Sequence, residues 1–461
     1  MTPLASSSEM VRARIKSAPD RFRLTGGWID RPHAPRPSLD GPVSADVIVI
    51  GAGFAGLSTA LELRARGARV IVLESDFAGF GASGRNAGYL AGGQGLDYPL
   101  MLKTLERDQV ARIVRYFEEG ITYVESKLAQ HGIDCDYVRS GLVSAGVHPS
   151  QEKRLRAGLE LGAELGAPAV FLDEREMRRR GLPPAFLFGA ASSGGGTLDP
   201  GKYVSGLRRA AIAAGVKLYE NSPVLAYDEG RTVVCKTARG RALAPYLVIA
   251  ANAYAPQLGV LQRKVVPLRV SAIETETLSR AQLASLGWPN REGITTKHHI
   301  MESHRLTARD SLVVTTKRLN YVYGSKTPNV PDDRAYQDLA TALYERFPTL
   351  RDVAIRSCWS GYISTAGDTM PVVGETGDSG NIFHTAGCSG HGVGTQSFVG
   401  ELLAERITGK EHRFWSALQH DTPSSLPEPM RWVAMKSMLN AARTLDGKVD
   451  RQVRRERNNA F

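Results

Sequence analysis

Residues 46–56 read Asp-Val-Ile-Val-Ile-Gly-Ala-Gly-Phe-Ala-Gly, an apolar run that passes straight into a Gly-x-Gly-x-x-Gly turn. Helical spacing follows over residues 57–66, then a second apolar run at 69–73 that stops at Glu74. Each part of this order has a use in holding a dinucleotide. Gly51 permits the tight turn, Gly53 lets a pyrophosphate approach the backbone, and Gly56 lets helix and strand pack closely. Phe54 and Ala55 open the helix, whose free N–H groups and positive dipole end attract phosphate. Glu74, at the end of the second run, stands where an acidic side chain accepts hydrogen bonds from a ribose, with Ser75 beside it. An acid there argues against a 2′-phosphate, which leaves FAD or NAD.

Two further segments decide between them. Residues 79–90, Gly-Phe-Gly-Ala-Ser-Gly-Arg-Asn-Ala-Gly-Tyr-Leu, form a small-residue loop directly after the second strand. Gly81, Ala82, Ser83, Arg85 and Asn86 can bring N–H groups, a hydroxyl and a guanidinium against a pyrophosphate. Residues 386–394, Ala-Gly-Cys-Ser-Gly-His-Gly-Val-Gly, precede helical spacing at 397–407. This second glycine-rich helix entry, with Gly390, His391, Gly392, Val393 and Gly394, suits a flavin ring, whose N1/O2 edge gains electron density on reduction. The expected cofactor is therefore FAD.

With these segments in place, the chain resembles FAD-dependent amine and amino-acid oxidoreductases of the D-amino-acid-oxidase superfamily, and within it the gamma-glutamylputrescine oxidoreductase-like amine oxidases. The resemblance rests on residues 45–56 with Glu74, on 81–86, on Ala-Ala-Asn-Ala-Tyr at 250–254, and on 387–393. It extends to Arg-Ser-Cys-Trp-Ser-Gly at 356–361 with Asp368, Pro371 and Gly374. It implies a backbone contact from Val224 to adenine and a close backbone pass at Ala251. It also implies hydride transfer from an amine-bearing carbon to flavin N5, giving an imine that water opens. Some relatives hold FAD through a cysteine seven residues before the Asp of a Thr-Pro-Asp motif. Here that position is Gly361 and the motif reads Thr-Ala-Gly-Asp, so the FAD is expected to be non-covalent.

The implied fold class is α/β: a Rossmann-type FAD-binding domain interleaved with an α+β substrate domain on a mixed or antiparallel sheet. The expected pieces are an N-terminal arm (1–44), a discontinuous FAD domain (45–100, 185–262, 355–411) and a substrate domain (101–184, 263–354). A basic amphipathic tail (412–461) is expected to leave the core. Within these, one helical stretch is expected at 101–131 and a strand at 242–249, and Trp28 is expected to dock on the body.

Composition narrows the remaining classes. Four cysteines lie far apart with no C-x-x-C pair, which suits a reducing compartment and gives no disulfide framework. Residues 1–24 carry charges throughout and show no apolar leader, so a cytoplasmic location without a transmembrane span is expected. Of the formal net charge of +11, residues 429–461 supply +5, from eight Lys/Arg against three Asp/Glu. No aromatic and basic interleaving marks a strand-stacking surface, so nucleic acid is not an expected partner. The tail could pack on the protein's own body or a partner subunit, or lie on an acidic membrane surface. His298 and His299 would point to opposite faces of a strand, no carboxylate or Cys is read as completing a set with His304, and no metal is expected.

Candidate chemistry falls on His391, which would tune protonation beside the flavin, and on Trp359 in the Trp-x-Gly segment. Tyr321, Tyr323 and Tyr362 are candidate cavity aromatics for an amine, and Arg318 is a candidate carboxylate partner. The expected reaction is oxidation of a C–N bond in a small primary or secondary amine, gamma-glutamyl-polyamine-like or N-alkyl. The electron acceptor would be O2 or another molecule, with Lys297, Lys317 and Lys326 as candidates to help oxygen react. Two alternatives stand beside it: a D-amino-acid, glycine or sarcosine-type enzyme, and an RNA-modifying flavoenzyme acting on an aminomethyl group.

Overall fold

The computed structural model describes residues 27–32 and 34–459, so the expectation drawn from 1–24 lies outside the described residues. A six-stranded sheet carries the first motif, in the order Val372–Thr376, Ile382–Ala386, Tyr246–Ile249, Val47–Ile50, Val70–Leu73, Lys217–Tyr219. All its pairings are parallel except that of the first two strands. The Val/Ile runs at Val47–Ile50 and Val70–Leu73 are wholly buried, as expected where both faces of a parallel sheet are covered. One face is covered by the helices Phe54–Ala65 and Gly392–Ile407, which approach so closely that a Cβ on Gly400 would lie 2.6 Å from the Ser58 backbone.

The other face is covered by a four-stranded sheet, in the order Gly41–Ser44, Gly240–Ala244, Val233–Lys236, Ala226–Asp228. Two expectations change here. Residues 41–44 belong to this sheet through parallel pairing with 240–244, not to a free arm. The run expected as one strand at 242–249 is two strands in different sheets, parted at Pro245, which has no N–H to give a ladder.

The second domain is an eight-stranded mixed sheet, in the order Ile355–Ala366, Val265–Thr275, Leu312–Thr316, Glu302–Leu306, Gly293–Thr296, Leu142–Gly146, Phe188–Ser192, Val170–Leu172. Residues 355–366 and 188–192, expected in the FAD domain, are strands of this sheet. The first runs antiparallel to Val265–Thr275 along almost its whole length, an interaction no local pattern announces. Helix Asp333–Arg346 packs on the outer face, with Leu339, Leu343 and Phe347 among Ile273, Leu312 and Val314. The stretch expected as one helix at 101–131 is two, Tyr98–Thr104 and Arg107–His131, separated where Leu105 is extended.

The tail does not leave the core. Helix Met430–Asn459 lies back on the substrate domain, where Asp446 accepts from the His299 and Ile300 amides at 2.7 and 2.8 Å. Asp450 binds Lys317 at 2.7 Å and Arg346 at 2.8 Å. The amphipathic pattern of this helix is legible in sequence, but the partners of its buried acids come from segments far upstream in the chain. Among the described residues no helix is long and apolar enough to cross a membrane.

Candidate active site

The first glycine nest is shaped by close approaches. Gly51 has φ +102, and a Cβ there would lie 2.7 Å from the Ala250 carbonyl oxygen. A Cβ on Gly56 would lie 1.9 Å from the Gly51 oxygen, so helix and turn meet only because residue 56 has no side chain. The Phe54 amide donates to Ser83 Oγ at 2.9 Å, which ties the 79–90 loop to the helix start. Glu74 accepts from the Ala52 amide at 2.8 Å, the Asp76 amide at 3.1 Å and the Ser75 hydroxyl at 3.0 Å. Burial raises its pKa despite these donors.

The 79–90 loop is clamped from three sides. Trp28 donates to Asn86 O at 2.7 Å, Trp359 to Arg85 O at 2.9 Å, and Arg305 Nε to Ala87 O at 2.5 Å. The two indoles meet edge to face at 5.4 Å, and the Arg305 guanidinium lies 4.5 Å over Trp28. Asn86 caps its own loop, donating to Ala82 O and Ser83 O and accepting from the Gly88 amide. Arg85 donates from Nη1 to Ser360 O at 3.2 Å and Asn329 Oδ1 at 3.3 Å, while its buried Nε and Nη2 have no partner. Burial lowers the pKa of this guanidinium. Two unpaired, buried cationic N–H groups beside a glycine nest match the donor set an anionic pyrophosphate requires.

The second nest is built on left-handed backbone at Gly387 (φ +72), Ser389 (φ +43) and Gly390 (φ +94). Ser364 pins it: its Oγ accepts from the Gly387 amide at 2.7 Å and donates to Asn252 Oδ1 at 2.5 Å. The Ser389 amide donates to Ser364 O at 3.0 Å, and the Thr365 and Ser389 hydroxyls meet at 3.3 Å. His391 opens the Gly392–Ile407 helix without capping it through its side chain. Its ring sits edge to face on Phe117 at 5.6 Å and Nδ1 has no partner. Burial lowers its pKa, so the imidazole is neutral near pH 7.

A line of half-buried small residues joins the two nests. It runs through Gly51, Gly53, Gly81–Ser83, Asn86 and Ala87, then Ala251 and Asn252, and returns through Ser389, His391 and Gly392. Strand Ile355–Ala366 borders it with one edge. Gly361, Ile363 and Thr365 are half-buried, whereas Ser360, Tyr362 and Ser364 between them are buried. Val270, opposite Gly361 in the ladder, is the half-buried residue of its own strand. The two nests are joined through Ser364, which bonds both Asn252 and the Gly387 amide, and small residues with buried cationic N–H groups near one nest and an uncapped helix start at the other fit FAD.

The expected substrate residues are not brought together. Tyr362 lies on the opposite side of its strand from Gly361, its hydroxyl donating to Pro328 O at 3.1 Å. Tyr321 is buried, its hydroxyl bonded to Glu428 and Ser325. Tyr323 is 51% exposed. Arg318 pairs with Asp338 at 2.6 Å, so it already has its carboxylate. Trp359 is buried with its N–H on Arg85 O, which makes it a support of the loop. Val224 is half-buried against the core beside the four-stranded sheet. Of the residues the sequence reading passes over, Ile363 can be found by counting along the strand in twos from Gly361, whereas Val270 is reached only through the ladder.

The histidine cluster also differs from expectation. Glu302 and Asp450 do lie beside His298, brought in from the next strand and from the tail helix. Their oxygens are taken by Lys317 Nζ at 2.5 and 2.7 Å and by Arg346 Nη2 at 2.9 and 2.8 Å. Two carboxylates facing two cations are already balanced, which disfavours a metal ion. Of the lysines named for oxygen, Lys317 is thus bound, whereas Lys297 is half-buried and its pKa is lowered by burial and then by Arg154.

Comparison with known proteins gives the family and the fold. Residues 46–406 match the family described as DAO, FAD dependent oxidoreductase. The chain is 30% identical over 388 residues to gamma-glutamylputrescine oxidoreductase of Escherichia coli K12, covering 83% of this chain and 88% of that one. It is 25% identical over 382 residues to glycine oxidase of Geobacillus kaustophilus, covering 80% and 94%. The crystal structure of that glycine oxidase superposes with a TM-score of 0.70 over 80% of this chain and 96% of its own, at 21% identity. L-proline dehydrogenase from P. horikoshii gives 0.66 over 83% and 96% at 20% identity, a likeness of fold.

Proposed function

The chain belongs to the DAO family of FAD-dependent oxidoreductases, and from that premise we propose that it oxidises the C–N bond of a small primary or secondary amine, gamma-glutamyl-polyamine-like or N-alkyl. The family acts on C–N bonds of amines and amino acids, and FAD is its cofactor. When bound, FAD supplies the two-electron oxidising power that turns the amine into an imine.

The protein's own residues hold and prepare the two reactants. Gly51, Gly53 and Gly56 with Ser83 and Arg85 would hold the pyrophosphate, Glu74 the ribose, and the Gly392–Ile407 helix start the ring edge that gains charge. The observation that carries the amine reading is His391: a neutral imidazole next to Ser389, at the Thr365 end of an edge that is otherwise Gly361, Ile363 and Val270. Such a group accepts the ammonium proton, leaving a neutral nitrogen whose lone pair can assist C–H cleavage. The apolar edge excludes water and suits the methylene segment such amines carry next to the reacting nitrogen. The alternative of an α-amino acid needs a carboxylate clamp, and Arg318 is engaged with Asp338.

A steady-state panel tests the reading, with aldehyde, ammonia and peroxide measured as products in air and dye reduction measured without oxygen. Turnover of N-alkyl or polyamine-type substrates is expected. Turnover of α-amino acids alone would overturn the proposal in favour of the amino-acid reading.

A further inference from the structure

We propose that the C-terminal helix forms one wall of the substrate cavity and sets its preference for amines carrying an alkyl chain, an inference that rests on the amine reading above. Side chains alternate along strand Ile355–Ala366, so Trp359, Gly361, Ile363 and Thr365 share a face. That face is fixed at both ends: Trp359 donates to Arg85 O and a Cβ on Gly361 would touch Arg85, while Thr365 meets Ser389 of the second nest. Ile363 therefore stands between the two nests, half-buried, on the side of the cofactor site.

What Ile363 packs against is the tail. It belongs with Val266, Leu268, Ile300, Tyr321 and Leu439, and Met435 and Ala442 of the tail helix join the same cluster. Leu268 faces Ile363 across the ladder, so the strand pair presents two adjacent aliphatic side chains to the helix. Met435, Leu439 and Ala442 fall at spacings of four and three, one stripe of the helix. Leu439 is buried, whereas Met435 and Ala442 keep part of their surface open.

The helix is held there by polar contacts at three levels. Near its start Glu428 accepts from Tyr321 and from the Gly324 amide. In its middle Asp446 accepts from the amides of His299 and Ile300. Further on, Asp450 joins Lys317 and Arg346. The segment 297–300 that receives Asp446 also carries Lys297, which continues the strand Gly293–Thr296. The family match ends at residue 406, before the tail helix begins. The wall is aliphatic and suits methylene groups, with the amine at the His391 end.

The test compares n-alkylamines and N-alkyl amines of increasing chain length with the FAD-loaded full chain, wild type against Met435→Ala, Met435→Phe and Leu439→Ala. FAD stoichiometry and melting temperature confirm that each variant is folded. Affinity is read by calorimetry and kcat/KM by turnover. In the wild type each added methylene should improve both by about 4-fold, the equivalent of about 0.8 kcal/mol per buried methylene. Met435→Ala and Leu439→Ala should flatten this dependence through KM more than kcat, and Met435→Phe should shorten the longest chain accepted. Folded variants that keep the wild-type dependence on chain length would overturn the proposal. A wild type that binds the series with this dependence but turns none over would instead overturn the amine reading and leave the wall standing. Wild-type affinity and turnover that do not vary with chain length would also overturn the wall.

Discussion

The indole N–H of Trp359 donates to the main-chain oxygen of Arg85 across 2.9 Å, joining the substrate sheet to the loop that carries the cationic end of the cofactor site. Trp28 makes the matching contact one residue on, at Asn86 O. The loop is therefore positioned by two tryptophans from segments far away in sequence. Trp359→Phe keeps an aromatic ring but leaves a buried carbonyl unpaired, a loss of about 1–3 kcal/mol. Retained FAD and melting temperature should both fall, and equilibrium dialysis against free FAD measures the first. Unchanged FAD affinity would show that the contact does not position the loop.

Gly56→Ala is expected to be far more damaging than Gly53→Ala. The first places a Cβ 1.9 Å from the Gly51 oxygen, backbone that cannot move without opening the turn. The second meets Ser83 Oγ at 2.8 Å, a side chain able to rotate at the loss of its bond from the Phe54 amide. Gly56→Ala should yield protein without FAD or no soluble protein. Gly53→Ala should fold and bind FAD more weakly, as flavin absorbance after desalting would record.

His391 is expected to set the acid limb of activity. Burial lowers its pKa, so it is neutral above its ordinary value of about 6.5 and protonates only below it. Proton acceptance from the substrate is then lost as pH falls. His391→Asn should remove that limb from the kcat/KM profile and slow turnover by about 10²–10⁴-fold, with FAD still bound. A variant with the wild-type profile would exclude His391 from proton transfer.

The tail is locked by charge and should loosen in acid. Burial alone would raise the Glu302 and Asp450 carboxyls. Arg346 and Lys317 outweigh it at Glu302, as His298, Lys317 and Arg346 do at Asp450, holding both well below the usual carboxylate range. Their stabilisation is fully present above about pH 4, the ordinary carboxylate value, and is lost as pH falls through their lower folded values. Asp450→Asn leaves Lys317 and Arg346 buried with one carboxylate between them, a loss of about 3–5 kcal/mol. Denaturant unfolding at pH 7 measures it, and limited proteolysis should then cut within residues 430–459 before the body. Wild-type stability in Asp450→Asn would show the lock to be unimportant.

What the sequence makes legible is the part governed by local chemistry. The first nest can be read because strand, turn, helix and acid lie together at positions 46–74, in an order with one good use. The second nest and the loop at 79–90 are equally local. Strand Ile355–Ala366 is misplaced from sequence because its partner, Val265–Thr275, lies far upstream and the Trp-x-Gly signal says nothing about pairing. Tyr362 and Tyr321 stand out as aromatics, yet alternation from Gly361 selects Ile363. The tail is legible as a basic amphipathic helix, but only tertiary packing brings His299, Ile300, Lys317 and Arg346 to its Asp446 and Asp450.

The most direct test is an anaerobic absorbance titration of the purified full chain with amines and amino acids. The expected result is a yellow protein holding FAD whose oxidised flavin band bleaches on adding an alkyl-substituted or polyamine-type amine. Readmitted air or a dye would then identify the electron acceptor. A protein that holds FAD but is bleached by no amine would contradict the proposed reaction, and a protein that binds no FAD would contradict the reading of the site itself.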